Sequence, residues 1–492
     1  MDGLNLDRRS FILAGVSLTT LNGMAVRTTS LPLSGKVRLR FGVLADIHVS
    51  GSETCDTFKN ALRYFDGRRA DGVLVCGDLA DFGLESELGH VADAWYEVFP
   101  DGRRSDGEPI VNLMHYGDHD MSDIRKRRRD YEARKDFYDR QAIIRDPAGC
   151  WERCFHEKWE PIQVKMVKGY TFVLGHHQYG TPENRKGNVV LGVDKVLSEI
   201  SIDPGKPFFY SQHRIYKNTA GGPDVWGQES GIVGEILSQY PNAIAFCGHG
   251  HVTCTDDRNL WQGAFTALEV PSLKYLLQHA GRENGFSLND QQGSRDGNGG
   301  GSVKPASQMP IMVTYDGVHR QGYFVSVYDD RIVIERLDFG HGTEEVAPPW
   351  TIPLVSGRPD RSLTFAARAA RTPPPHFGAD AKVQVVEIEG KDRNGVATAQ
   401  FRVCFPPALT DGASPRAMDY EVTAEIVKGD VVRIAAQKRV YSPNIDFAEA
   451  RETNPVVCIF AKDEICSNRD ALRFVVRPVN VWGAKGPKIC SH

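Results

Sequence analysis

Aspartate and histidine recur in this chain in five short groups: Asp46-x-His48, Gly77-Asp78, Gly117-Asp118-His119-Asp120, His213 and Gly248-His249-Gly250-His251. Carboxylates and neutral imidazoles are ligands for Zn, Mn or Fe, and no cysteine occupies a ligand position, which argues against structural zinc and iron–sulfur clusters. A lone histidine would carry little meaning. Five of them in such groups point to a metal centre.

The elements that must position these residues follow from what precedes them. Phe41-Gly-Val-Leu-Ala, Gly72-Val-Leu-Val-Cys-Gly, Pro207-Phe-Phe-Tyr-Ser-Gln and Ala243-Ile-Ala-Phe-Cys are short apolar runs of the kind buried strands use. In open α/β sheets ligands gather outside the carboxyl ends of strands, so groups far apart in sequence can converge at one edge. Between the runs, Phe58, Ala61, Leu62 and Phe65 share a helical face, as do Leu88, Val91, Ala92 and Trp95, and Ile232, Ile236 and Leu237 suggest a third. These stripes read as core.

With these motifs, the chain resembles the calcineurin-like metallophosphoesterase superfamily, whose pattern is D-x-H, G-D-x-x-D, G-N-H-D/E, a lone His and G-H-x-H. The resemblance covers roughly residues 36 to 345. It implies an α/β fold, a β-sandwich flanked by helices in αββα layers, and two transition-metal ions (Mn, Fe or Zn). By that resemblance Asp46, His48 and His251 hold one ion, Asp118, His213 and His249 hold the other, and Asp78 bridges them. Hydrolysis would proceed by attack of a bridging hydroxide, with His119 as the acid that meets the leaving group and Asp81 orienting it. Asp81 also reads as a helix N-cap for the segment starting near Glu85.

One residue departs from the pattern. Asp118 stands where the family carries Asn, which keeps an oxygen ligand but adds a negative charge that should weaken the Lewis acidity of the ions. The Arg-Gly that follows the second motif in Ser/Thr protein phosphatases is Phe82-Gly83 here, and the iron-binding tyrosine of purple acid phosphatases is Asp81. What remains is a phosphomonoesterase or phosphodiesterase of small phosphorylated molecules. Two alternatives stay open: a catalytically weakened member whose C-terminal region binds something, and a nuclease. His176, His177, Arg214 and Tyr216 are further polar groups that could face the site.

The 492 residues suggest more than one domain, and 41% hydrophobic content with a net charge of −4 predicts neither a nucleic-acid nor an anionic-membrane partner. The basic run Arg125-Lys-Arg-Arg-Arg129 reads as a solvated helix face. Asp7-Arg8-Arg9-Ser10-Phe11-Ile12-Leu13, a short apolar stretch and Gly23-Met24-Ala25 read as a twin-arginine export signal, giving residues 1–35 as signal and linker and a periplasmic or extracellular location. No segment reads as membrane-spanning.

Cys76 and Cys247 read as buried thiols, Cys150 and Cys154 as a pair on a loop or one helix face, and Cys404, Cys458, Cys466 and Cys490 as candidates for one or two bridges. Residues 280–305, rich in Gly, Ser, Asn and Asp, read as a flexible loop. Prolines between 346 and 376 suggest a linker. Beyond it, from 377 to 492, β-like runs such as Tyr420-Glu-Val-Thr-Ala-Glu-Ile-Val predict a small all-β sandwich, whose ending resembles the last strand of fibronectin type III-like domains.

Overall fold

The computed structural model describes residues 35–122, 128–178, 190–222, 225, 227–278, 312–314, 319–340, 342–391, 396–410, 415–442, 444–445, 455–465 and 472–491. The twin-arginine segment, most of the basic run, the Gly-rich stretch 280–305 and Cys466 lie outside them. The account that follows concerns the unit Val37–His492.

Strands β1 (Leu39–Leu44), β2 (Gly72–Cys76) and β3 (Val111–His115) run parallel and begin the first sheet. A second sheet holds β4 (Ile162–Val167), β5 (Tyr170–Gly175), β6 (Phe208–Ser211), β7 (Ala243–Cys247), β8 (Leu260–Gln262) and β9 (Thr266–Glu269), in the order β4-β5-β6-β7-β9-β8. After the pair β10 (Leu276–Gln278) and β11 (Met312–Thr314), the chain returns through β12 (Gln321–Val327), β13 (Arg331–Asp338), β14 (Glu344–Val355) and β15 (Arg358–Pro359). The first sheet then reads β15-β14-β13-β12-β1-β2-β3.

The period of two along β1 assigns its faces. Leu39, Phe41 and Val43 enter the core between the sheets, where Phe41 meets Phe172 and Phe209 edge-on at centroid distances of 5.2 and 5.0 Å. Leu44 turns the other way, onto Phe58, Ala61, Leu62 and Phe65 of helix Asp56–Gly67 and Leu88, Val91 and Trp95 of helix Glu85–Val98. Helices Val193–Glu199 and Ile232–Leu237 cover the outer face of the second sheet. The layers are therefore αββα, as expected. In the last helix the buried positions are Val233 and Leu237, whereas Ile232 is 50% exposed. A helix of two turns offers too little periodicity to set its rotation from sequence.

The expected linker between 346 and 376 is largely ordered structure. Its first part is β14, paired with β13 across a bulge that skips Pro348 and Pro349. Proline is tolerated where the ladder is interrupted, and Arg336 donates to the Pro348 carbonyl there at 2.6 and 2.9 Å. Helix Phe365–Arg371 follows, and the buried Arg368 guanidinium donates to the carbonyls of Asp257 and Leu260. These bonds fasten it to the second sheet.

The C-terminal strands are β16 (Gln384–Lys391), β17 (Ala397–Phe405), β18 (Asp419–Lys428), β19 (Val431–Tyr441), β20 (Val456–Ala461), β21 (Leu472–Val479) and β22 (Ile489–Cys490). They form antiparallel sheets β16-β17-β20 and β19-β18-β21-β22 around one core that includes Phe401, Phe405, Tyr420, Phe460 and Phe474. Cys404 and Cys490 are free thiols, as are Cys76, Cys247 and the helix-borne pair Cys150 and Cys154. Among the described residues no helix is long and apolar enough to cross a membrane.

Candidate metal centre

Each candidate ligand lies just past the carboxyl end of a parallel strand: Asp46 and His48 after β1, Asp78 after β2, Asp118 after β3, His213 after β6, and His249 and His251 after β7. Backbone bonds knit these turns together, with Asp46 N–H donating to the Gly77 carbonyl at 3.0 Å, His48 N–H to that of Asp78 at 3.0 Å, and Gly248 N–H to that of His213 at 2.9 Å. Five of the seven, Asp46, His48, Asp78, His249 and His251, have positive φ between 42° and 74°. Such non-glycine residues are strained by about 1–3 kcal/mol each and persist where the surroundings dictate them. Here the reversal turns each side chain back over the strand ends. At Gly117 a Cβ would lie 2.2 Å from Asp78 Oδ1, and at Gly77 it would lie 2.7 Å from His213 Nδ1, which explains the glycines of both motifs.

The side chains converge in overlapping groups whose ligand atoms lie within 4.8 Å of one another: Asp46, His48 and His251; Asp78, Asp118, His213 and His249; and His48, Asp78 and His119. Three rings are anchored from behind. Nδ1–H of His213 donates to the Cys76 carbonyl at 2.8 Å, that of His251 to the Tyr275 carbonyl at 3.0 Å, and that of His48 to Asp81 Oδ1 at 3.1 Å. A carbonyl or carboxylate can only accept, so each anchor fixes the tautomer and leaves Nε2 as the ligand atom. His249 presents Nδ1 instead, 3.1 Å from His213 Nε2 and 3.3 Å from Asp118 Oδ1.

This arrangement fits metal ions. Nε2 of His48 and of His251 are 3.4 Å apart, and the latter is 3.0 Å from Asp46 Oδ1. With both Nδ1 atoms committed as donors, neutral rings would turn lone pairs on each other and on a carboxylate, which only a cation makes favourable. Burial alone would raise the carboxyls of Asp46, Asp78 and Asp118, but the imidazoles facing them hold all three below the usual carboxylate range. Burial would lower His213, yet the carboxylates of Asp78, Asp118 and Asp46 raise it well above an ordinary histidine. The cluster demands positive charge.

His119, like Asp118, is 24% exposed, whereas the other six candidate ligands are buried. Its Nδ1–H donates to the backbone carbonyl of Asp81 at 2.8 Å, while the Asp81 carboxylate lies 3.6 Å away. The expected pairing of Asp81 with His119 is thus made by the main chain as well as by the carboxylate, which also anchors His48. Asp81 is not the helix cap either: the helix starts at Glu85, and Glu87 reaches back to accept from the backbone of Phe82 at 2.9 Å and Leu84 at 3.1 Å.

Of the further polar groups, Arg214 reaches the centre, its Nη2 lying 3.1 Å from Asp118 Oδ2. His177 is buried and feels the charges of Asp118 and His213; burial pushes it down to about 3. His176 accepts from Tyr116 N–H among Tyr116, Trp151 and Trp159, and Tyr216 donates to the Phe246 carbonyl, so both are structural. Sequence reasoning missed the turn after β9, where Ser272 Oγ donates to the Asp46 carbonyl at 3.0 Å and Lys274 to that of His48 at 3.2 Å. It also missed the role of Asp120, whose buried carboxylate accepts from Leu79, Ala80 and Gly117 at 3.1, 2.6 and 2.7 Å. Burial and then the charge of Asp78 push that carboxyl up to about 7. The strand-end rule applied to β9 would have found the first, because β9 runs parallel to β7.

No curated protein matches the chain. Among solved structures it is similar to a dimetal phosphatase from Danio rerio (11% identity, 65% of this chain and 99% of that one, TM-score 0.33). It is also similar to GAP50, the anchor in the inner membrane complex of Plasmodium (11%, 63% and 89%, 0.33), and to a conserved predicted phosphoesterase from Streptococcus pneumoniae (11%, 64% and 97%, 0.24). Such distant likenesses carry no argument about substrate or partner. The sequence itself matches the calcineurin-like phosphoesterase family over residues 39–253. That segment, which contains all seven candidate ligands, is a calcineurin-like phosphoesterase domain.

Proposed function

We propose that the chain is an exported hydrolase of small phosphate mono- or diesters that works with two metal ions. The observation that carries this reading is the pair of ligand groups flanking Asp78, with three imidazoles locked so that Nε2 faces the carboxylates. Asp46, His48 and His251 would hold one ion, Asp118, His213 and His249 the other, and Asp78 would serve both. Such ions supply Lewis acidity toward a phosphoryl oxygen and lower the pKa of water. His119, partly open to solvent and held by one nitrogen, would deliver a proton to the leaving oxygen from the other. Asp81 places that ring through its carbonyl and His48 through its carboxylate.

Metal analysis together with hydrolysis of aryl phosphate monoesters and diesters tests the reading. We expect two ions per chain and activity that chelation removes and metal restores. Fewer ions with no turnover of either ester would favour the weakened, binding-module alternative, and cleavage of polynucleotides alone would favour a nuclease. The pairing of Asp118 with Arg214 supports an active centre, since the added charge has a counter-charge. Export rests on the sequence of residues 1–25. Arg8→Lys with Arg9→Lys should leave the protein folded but retained in the cytoplasm, whereas unchanged secretion would refute the signal.

A further inference from the structure

Asp118 and Arg214 come from different sheets, and their meeting is built in. β6 ends at Ser211, and the next residues are pinned on both sides: Gln212 N–H donates to the Phe246 carbonyl at 3.2 Å, and Gln212 Nε2 to the Arg214 carbonyl at 2.9 Å. The turn that aims His213 inward therefore also fixes the backbone from which Arg214 starts. The two carboxylate oxygens of Asp118 divide their tasks. Oδ1 lies 3.0 Å from His213 Nε2 and 3.3 Å from His249 Nδ1, whereas Oδ2 lies 3.1 Å from Arg214 Nη2. Both side chains are mostly buried, 24% exposed for Asp118 and 19% for Arg214, so solvent screens the pair less than a surface ion pair.

A carboxylate next to a metal site raises two problems that an amide does not. It can turn both oxygens to the ion, and it adds a full negative charge to a cluster that already holds Asp46 and Asp78. An arginine on the far oxygen answers both, occupying one lone-pair direction and returning one positive charge. We propose that Arg214 is a positioning residue for the second ligand group: it holds Asp118 with a single oxygen toward the ion and cancels the charge that Asp118 brings. The inference rests on the two-metal reading. On it, Asp118 and Arg214 are one unit, equivalent in net charge to a neutral amide.

The test is a double-mutant cycle read by metal binding rather than turnover, using Asp118→Asn, Arg214→Gln, both together, and Arg214→Lys. Manganese and zinc are titrated into the metal-free full chain, and unfolding of the metal-free proteins is followed. Asp118→Asn alone strands the arginine beside the ion, so the second ion should bind roughly 10- to 100-fold more weakly. Adding Arg214→Gln should recover most of that loss, although it removes a further native group. Arg214→Gln alone should bind the second ion at least as tightly as the wild type but lower the unfolding midpoint of the metal-free chain by a few degrees, because three carboxylates then face each other with less relief. Arg214→Lys, which keeps the charge, should restore that midpoint. If Asp118→Asn and the double variant are equally weak, or if Arg214→Gln changes neither reading, the coupling is wrong. A wild-type chain that takes up fewer than two ions instead overturns the metal-centre reading itself.

Discussion

The Asp46, His48 and His251 group is shut in, with side chains 0%, 1% and 5% exposed and every imidazole anchored by an acceptor outside the group. Its partner around Asp118, His213 and His249 opens on one side, where Asp118 is 24% exposed and leans on an arginine. In the closed group the Tyr275 carbonyl holds His251 and the Asp81 carboxylate holds His48. In the open one the Cys76 carbonyl holds His213, but the charge of Asp118 is met by the Arg214 side chain, which a single substitution can remove. We therefore expect the first group to govern retention of metal and the second to be where charge tunes the chemistry.

Asp78 is the residue for which the two groups should cease to differ. Asp78→Ala should empty both and lower kcat by at least about 10³-fold, as measured by metal content and aryl phosphate hydrolysis. If one ion stays, Asp78 belongs to a single group. His119→Ala should come next, with kcat reduced roughly 10²–10⁴-fold on esters with poor leaving groups, less on activated aryl esters, and metal content unchanged. Loss of an ion would instead make His119 a ligand, as its place beside His48 and Asp78 allows.

Asp81→Ala separates the groups more finely. It removes the carboxylate that anchors His48 and leaves the backbone carbonyl that holds His119. The first ion should bind roughly 10–100-fold more weakly, while the metal-saturated variant keeps most of its kcat. A large fall in kcat at saturating metal would return the carboxylate to the role the sequence suggested.

The smallest effect is expected at Glu87, in the first turn of helix Glu85–Val98 and outside both groups. Burial pushes this carboxyl up to about 8, against two backbone donors. The folded chain then holds a proton that the unfolded chain releases near pH 4.5, so stability should fall as pH rises from about 4.5 to about 8 and level off above. Glu87→Gln should flatten that slope by a few degrees of Tm in unfolding scans across the range. An unchanged slope would place the titrating group elsewhere.

The chemistry of the site was legible because metal ligands must be particular side chains and the strands before them must be apolar. Asp46, Asp78 and His249 announce themselves in this way. What anchors the ligands was silent, since the carbonyls of Cys76 and Tyr275 would serve equally with other side chains. The left-handed turns were equally hidden, because Asp, His and Gly all occur there and only the tertiary structure imposes the sign of φ. At β14 the prolines pointed to a linker, but a bulge opposite Arg336 accommodates them. β20, Val456–Ala461, is too short a run to stand out in the sequence, although it completes a sheet by pairing with β17.

The positive φ angles at Asp46, His48, Asp78, His249 and His251 set thermostability against activity at the same positions. Glycine adopts that conformation without steric cost, so replacing any one of the five should leave the metal-free backbone less strained while deleting a ligand. A selection that rewards only resistance to heat or protease would drift toward such glycines and enrich folded but inert chains. Libraries meant to stabilise this protein should therefore hold those five positions fixed, or impose metal retention as a second criterion in every round.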